Sequence, residues 1–179
     1  MKTLLPQVLE EVDRVKTRQD KVNVLRAYDS QQLRGLLQIN FNPNVKMDLP
    51  EGTPPYKRDE NIQAGYTETN LYAEFRRLYV WLQADVNVNK LRKEHLFIQL
   101  LEGIHYTEAD ALCLAKDKKL ETKYKSLTED IVREAFPDIL PPKPPEPILE
   151  KIEKVTKVKK SKVSLKGSPV TSNETSPNL

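Results

Sequence analysis

The sequence predicts an all-α fold of about seven short helices in two groups, with a long proline-rich loop between them and a disordered basic tail after them. Apolar residues recur at intervals of three and four along much of positions 1–140, which is the period of a helix with one buried face. Many of the 13 prolines lie within 50–55 and 137–147. We therefore expect a helical domain over 1–140, and a proline-rich linker with a disordered, lysine-rich tail over 141–179.

Three helices are predicted before position 42. The apolar face of the first is formed by Leu5, Val8, Val12 and Val15. Thr17 and Ser30 are suitable N-cap residues for the second and third helices, because their hydroxyls can accept hydrogen bonds from backbone N–H groups of the first turn. The breaks between the helices are short, which favours antiparallel packing of neighbours.

The helical period stops between Asn42 and Tyr66, where prolines and two glycines interrupt the chain. Proline cannot donate a backbone hydrogen bond, and it restricts the residue before it. We expect a long ordered loop that Met47, Leu49 and Tyr56 fix to the core. Loops of this length in compact domains are usually functional or mobile.

The second group is predicted to contain four helices. Their expected starts are Thr67, Asn89, Thr107 and Thr128. Gly103 is expected to end one helix in the left-handed conformation, and Pro137 to stop the last. Trp81 lies in the most aromatic of these stretches, which we interpret as a packing centre of the core.

Charge is unevenly distributed along the chain. Residues 149–179 carry a net charge of +4, whereas residues 1–148 carry −1. The nearly neutral charge of residues 1–148 does not favour a nucleic-acid-binding domain, because such domains usually carry positive charge on the folded surface.

The sequence lacks features of secreted and membrane proteins. Cys113 is the single cysteine, the N-terminal stretch lacks a signal-peptide pattern, and no segment approaches the ~20 apolar residues of a membrane span. We expect an intracellular protein that does not enter membranes.

Few residues suggest metal or catalytic chemistry. The candidates are His95, His105, Cys113, Glu102, Glu108 and Asp110. Their spacing lacks the close ligand pairs of zinc sites, and no local motif joins the cysteine to a histidine. Acidic residues after Thr107 are explained by the favourable charge at a helix start. We therefore expect no cofactor, no metal and no catalytic residue, and a small metal-dependent hydrolase is the weaker alternative.

The predicted helices on either side of residues 103–106 have the spacing of a helix-turn-helix. In that motif the start of the second helix enters the major groove of DNA. Here that start carries Glu108 and Asp110, which would face phosphates with the wrong sign. Direct reading of DNA by this element is therefore disfavoured.

The strongest candidate contact surface is the lysine segment, residues 116–125, with the sequence KDKKLETKYK and a net charge of +3. The predicted partner-binding residues are Lys116, Lys118, Lys119, Lys123, Tyr124 and Lys125, together with Tyr56, Lys57 and Arg58 of the loop. Such a surface can attract a protein or a nucleic acid. A solvated basic connection is the alternative. The tail lysines could also contact nucleic acid, or serve solubility alone.

Four stretches of the first 140 residues resemble an uncharacterised protein family, a domain of unknown function, of contractile-tailed cyanobacterial phages. They are MKTLLPQVL, LPEGTPPYK, FIQLLEGIHYTEADALCLAKDKKL and VREAFPDI. The resemblance implies a viral protein in the cytoplasm of an infected bacterial host, and it implies no activity. We expect a non-enzymatic phage accessory protein that binds a host or viral protein. The alternative is a nucleic-acid-associated protein that uses the lysine segment and the tail.

Overall fold

All regular structure in the computed structural model, which describes residues 3–82 and 88–142, is helical, so the predicted all-α fold is confirmed. The first group contains α1 (Leu5–Arg14), α2 (Arg18–Ala27) and α3 (Gln31–Phe41). The second contains α4 (Leu71–Glu74), a 3-10 turn (Phe75–Leu78), α5 (Tyr79–Leu82), α6 (Lys90–Gly103), α7 (Tyr106–Lys116), α8 (Leu120–Lys123) and α9 (Glu129–Ala135). No helix of the described residues combines the length and apolar character that crossing a membrane requires.

Several helix starts follow the local rules of capping. The side chains of Thr17, Ser30 and Asn89 accept hydrogen bonds of 3.1–3.2 Å from backbone N–H groups in the first turns of α2, α3 and α6. These bonds satisfy donors that a helix leaves unpaired at its N-terminus. Thr128 also precedes α9, as predicted, although its side chain makes no capping bond.

Two predicted helix starts and the predicted conformation of one helix end are wrong. The helix expected from Thr67 begins at Leu71, where the side chain of Asn70 accepts from the N–H of Ala73 at 3.0 Å. Thr107 lies inside α7, and His105 is the N-cap. Gly103 is the last residue of α6 but does not have a positive φ.

Residues 71–82 form an interrupted helix that packs closely on α3. A Cβ at Gly35 of α3 would lie 2.0 Å from Cζ of Phe75, so the phenyl ring occupies the space that a side chain would need. Trp81 is 1% exposed, and its indole N–H donates to the carbonyl of Lys93 at 2.9 Å. Its ring meets Phe97 edge-on at 5.6 Å. The interpretation of Trp81 as a core residue is confirmed.

Helix α7 lies at the centre of the fold and packs against α1, α3, α6 and α8. Its buried face contains the small or apolar side chains of Ala109, Ala111, Leu112 and Ala115. Small side chains allow neighbouring helices to approach closely, so α7 provides a fixed frame for the loop and for the lysine segment that follows it.

Helix α9 closes the unit against α2. The guanidinium of Arg18 pairs with Glu134 at 2.7 Å, and Arg26 donates to the carbonyl of the same residue at 2.8 Å. The compact unit extends to Pro141, whose carbonyl accepts a hydrogen bond from Arg133. The predicted polyproline spacer beyond Pro142 and the predicted disordered lysine-rich tail lie outside the described residues.

Candidate functional site

The proline-rich loop is ordered against the core, as the sequence predicted. Met47 is buried, and Leu49 and Tyr56 are partly buried against the core. The backbone N–H of Asp48 donates to the carbonyl of Trp81 at 2.8 Å. The Asp48 carboxylate also accepts from the buried ammonium of Lys93 at 2.8 Å, and this hydrogen bond lowers the pKa of Asp48.

The lysine segment holds the first half of the loop. The ammonium of Lys116 donates to the carbonyl of Pro50 at 2.6 Å and pairs with Asp117. The other carboxylate oxygen of Asp117 accepts from the N–H of Gly52 at 2.9 Å. Gly52 has a φ of +88°, a conformation that glycine adopts without steric cost. Lys116 and Asp117 together fix the turn of the loop to the end of α7.

Lys118 makes a second connection to the loop. Its ammonium donates to the carbonyls of Asn42 and Val45, and partial burial lowers its pKa. Its own φ of +57° is unusual for a residue with a side chain. The two surfaces that the sequence suggested as separate binding sites are therefore joined, because lysines of one hold backbone carbonyls of the other.

Two of the predicted binding residues are not on the surface. The side chain of Lys116 is 3% exposed, and Tyr124 is 2% exposed. Burial raises the pKa of the Tyr124 hydroxyl, which has no hydrogen-bond partner among the described residues. The segment also contains α8, which buries Leu120. The lysine segment is therefore partly a structural element, because Leu120 and Tyr124 supply apolar surface to the core.

The second half of the loop meets α7 at Asp110. Arg58 donates to the Asp110 carboxylate at 2.8 Å, and its guanidinium lies 5.0 Å from the centre of the Tyr106 ring. The ammonium of Lys123 approaches the other carboxylate oxygen at 3.9 Å. Asp110 thus lies between a cation of the loop and a cation of the lysine segment, and its carboxylate offsets part of their positive charge.

Other predicted residues keep their exposure. Lys57 is exposed, and its backbone N–H donates to the Glu102 side chain at 2.9 Å. The side chains of Lys119 and Lys125 are exposed and make no ion pair within the described residues. The hydroxyl of Tyr56 is buried without a hydrogen-bond partner there.

A half-open cleft of about 390 Å³ lies between the loop and α6, and Lys116 forms part of it. We call this the loop cleft. Its lining residues are Leu49, Pro50, Glu51, Gly52, Thr53, Pro54, Pro55, Glu94, Phe97, Ile98 and Lys116. Prolines and glycine of the loop form one wall, and side chains of α6 form the other. The loop was predicted as a candidate surface, but the α6 wall was not; its signal in the sequence is the adjacent apolar pair Phe97 and Ile98.

The turn between α6 and α7 fixes another part of the chain, residues 62–71. The carbonyl of Gly103 accepts from the N–H of Thr69 at 3.0 Å. The Nε2 atom of His105 lies 3.2 Å from the carbonyl of Ile62, which can only accept, so the proton belongs on Nε2. Nδ1 then accepts from the Thr107 hydroxyl at 2.7 Å. The GIHYT stretch, residues 103–107, therefore has a structural role, because its hydrogen bonds hold residues 62–71 against the α6–α7 turn.

Glu108 connects α7 to the start of α4 from inside the core. Its carboxylate is fully buried, and Oε2 accepts from the N–H of Leu71 at 3.1 Å, whereas Oε1 has no partner among the described residues. Burial raises the pKa of Glu108 to about 7. Glu108 therefore faces the interior and α4, so it cannot face DNA as in a helix-turn-helix.

The chemistry of the remaining candidates is limited. Burial raises the pKa of the Cys113 thiol to about 12, so the thiol stays protonated near neutral pH and is a poor nucleophile. Cys113 is 3% exposed, which confirms its interpretation as a small buried hydrophobic residue. Within 3–82 and 88–142, no three His, Cys, Asp or Glu side chains are grouped so as to hold a metal ion.

Comparison with known proteins adds one match. A family model described as a family of unknown function (DUF6433) matches residues 8–122. The match begins in α1 and ends in α8, so it includes the loop cleft, the α6–α7 turn and most of the lysine segment. No curated protein matches the chain. Since the matched stretch covers more than half of the 179 residues, the chain belongs to this family of unknown function.

Proposed function

We propose that this protein is a non-enzymatic phage accessory protein that binds a host or viral protein in the cytoplasm of the infected bacterium. The viral setting is supported by the resemblance of stretches such as LPEGTPPYK and VREAFPDI to a family of contractile-tailed cyanobacterial phages. The binding role is supported by one structural observation, which is the loop cleft with its apolar walls and fixed loop.

The loop cleft suits a protein side chain better than a reactive substrate. Its volume of about 390 Å³ lies at the low end of the ~300–1,000 Å³ range of small-molecule pockets. Its buried cation, Lys116, is already paired with Asp117 and bonded to the loop. Ile98 is partly exposed beside the buried Phe97, and it would lose contact with water when an apolar side chain of a partner enters between α6 and the loop. Anchors of this kind dominate the binding energy of protein interfaces.

The test is affinity purification from infected cells with a matched pair of variants of α6. Ile98→Asp places a charge in the cleft wall, whereas Leu91→Asp changes a side chain that is 73% exposed on the same helix and does not line the cleft. Circular dichroism should first show that both variants are folded. We expect Ile98→Asp to lose the captured partner and Leu91→Asp to retain it. Equal recovery by both folded variants would refute the cleft as the binding site.

Nucleic acid is the second candidate partner. It is favoured by the exposed side chains of Lys119 and Lys125, which make no ion pair within the described residues. The other lysines of the segment are less available, because Lys116 is buried and paired, Lys118 is bonded to the loop and Lys123 lies beside Asp110. Nuclease treatment during the purification separates the two candidates. Binding to nucleic acid should also weaken steeply as salt rises.

A further inference from the structure

The loop cleft has a hydrogen-bond donor in its lining. A lysine ammonium has three N–H donors, and Lys116 uses one on the carbonyl of Pro50 and one on Asp117. The third is not used by any described residue. Lys116 lines the cleft and is almost wholly buried, so an oxygen atom of a bound segment that reaches its ammonium would accept this hydrogen bond. The lining thus offers one buried donor amid apolar walls.

The charge of the cleft determines which acceptor fits. Asp117 offsets the charge of Lys116, whereas Glu51 and Glu94 also line the cleft and make no ion pair within the described residues. The cleft therefore has an acidic rim, which repels a carboxylate and attracts a cation. A neutral carbonyl is the acceptor that satisfies Lys116 without opposing these two glutamates.

The loop wall disfavours recognition by strand addition. Pro50, Pro54 and Pro55 have no backbone N–H to donate, so the wall cannot form a continuous ladder with an extended partner strand. Recognition must depend on side chains of the partner and on the donor of Lys116. A segment that fits carries a large apolar side chain for Phe97 and Ile98, and a basic side chain beside it for the rim.

We infer that the loop cleft binds a segment of the partner protein in which a large apolar residue stands next to Lys or Arg, with a backbone carbonyl accepting from Lys116. This rests on the proposed function and specifies the chemistry of the bound segment. Rim charges of this kind contribute modestly, so changing the basic residue to an acidic one should weaken binding by about 10-fold.

The experiment uses the full chain, labelled for NMR, and three capped peptides as probes. Ac-Gly-Leu-Arg-Gly-NH2 has both expected features, Ac-Gly-Leu-Glu-Gly-NH2 reverses the charge and Ac-Gly-Ser-Arg-Gly-NH2 lacks the apolar side chain. We expect the Leu-Arg peptide to bind about 10-fold more tightly than either of the others. Its binding should shift the amides of Phe97 and Ile98 and the ammonium signal of Lys116. Equal binding of the Leu-Arg and Leu-Glu peptides, or shifts elsewhere in the protein, would overturn the inference.

Variants identify the source of the preference. Glu94→Gln and Glu51→Gln should each reduce the preference for the basic peptide by a few-fold, whereas Glu121→Gln on α8, outside the cleft, should leave it unchanged. An unchanged preference in the double variant Glu51→Gln/Glu94→Gln would also overturn the inference.

If Ile98→Asp loses the cellular partner while the peptides show no charge preference, the proposed function stands and this inference fails. If Ile98→Asp retains the partner, the proposed function fails first.

Discussion

The buried carboxyl of Glu108 should make the stability of this protein decrease between mildly acidic and neutral pH. The pKa of Glu108 is about 7 in the folded protein, against an ordinary value of 4.5. As pH rises between these values, the unfolded chain loses the proton first, so ionisation favours unfolding. The full difference between the two pKa values lowers the free energy of unfolding by ~3 kcal/mol above about pH 7. This loss is absent below about pH 4.5.

The substitution Glu108→Gln tests this reasoning directly. The glutamine carbonyl can still accept from the N–H of Leu71, but the side chain no longer ionises. The unfolding free energy of the variant, measured by urea denaturation at pH 5, 6, 7 and 8, should exceed that of the native protein increasingly with pH. The gap should grow by up to ~3 kcal/mol across this range. Glu121→Gln, an exposed position on α8, should retain the native pH dependence.

Other groups titrate in both proteins, so the informative quantity is the difference between the two curves. Parallel curves for the native protein and Glu108→Gln would refute the assignment of a raised pKa to this carboxyl. A variant that is less stable by the same amount at every pH would show that Glu108 acts only through its hydrogen bond to Leu71.

Three further changes probe packing and the loop. Trp81→Ala should lower the unfolding free energy by roughly 3–5 kcal/mol in urea denaturation, because it empties a large buried site; a loss below ~1 kcal/mol would contradict this. Gly35→Ala should cost about 1–3 kcal/mol, since its methyl group would collide with Phe75; unchanged stability would mean that the ring moves freely. Lys118→Met should speed amide hydrogen exchange in residues 42–46, whereas the exposed control Lys119→Met should not; equal exchange in both would show that the lysine does not hold the loop.

Local chemistry made much of the fold predictable. Apolar periodicity identified the helices, and the caps at Thr17, Ser30 and Asn89 follow from side chains that bond N–H groups two or three residues later. The loop was identified by its prolines, which break helices wherever they fall in the interior. All these signals lie within a few residues of the structure they determine.

The wrong predictions concern positions where two local structures are possible and a contact with a distant part of the chain decides between them. Both His105 and Thr107 can cap a helix, and the choice of His105 is accompanied by a contact with Ile62, which is 43 residues away. Lys116 is in a charged stretch typical of a solvated surface, yet it is buried because the carbonyl of Pro50 provides a partner. No periodicity or propensity reports such a contact, so the loop cleft became visible only in three dimensions.

The closure of α9 on α2 has a consequence for how the chain folds. The hydrogen bonds and ion pairs that join Arg18 and Arg26 to Glu134 connect residues 108 to 116 positions apart. Contacts of such separation require a large loss of chain entropy before they provide stabilisation, and they slow folding. The family match ends at residue 122, before α9. A translation product interrupted at the end of the matched stretch would therefore lack α9, the helix that packs on α2, and would leave that side of α2 open to aggregation and proteolysis.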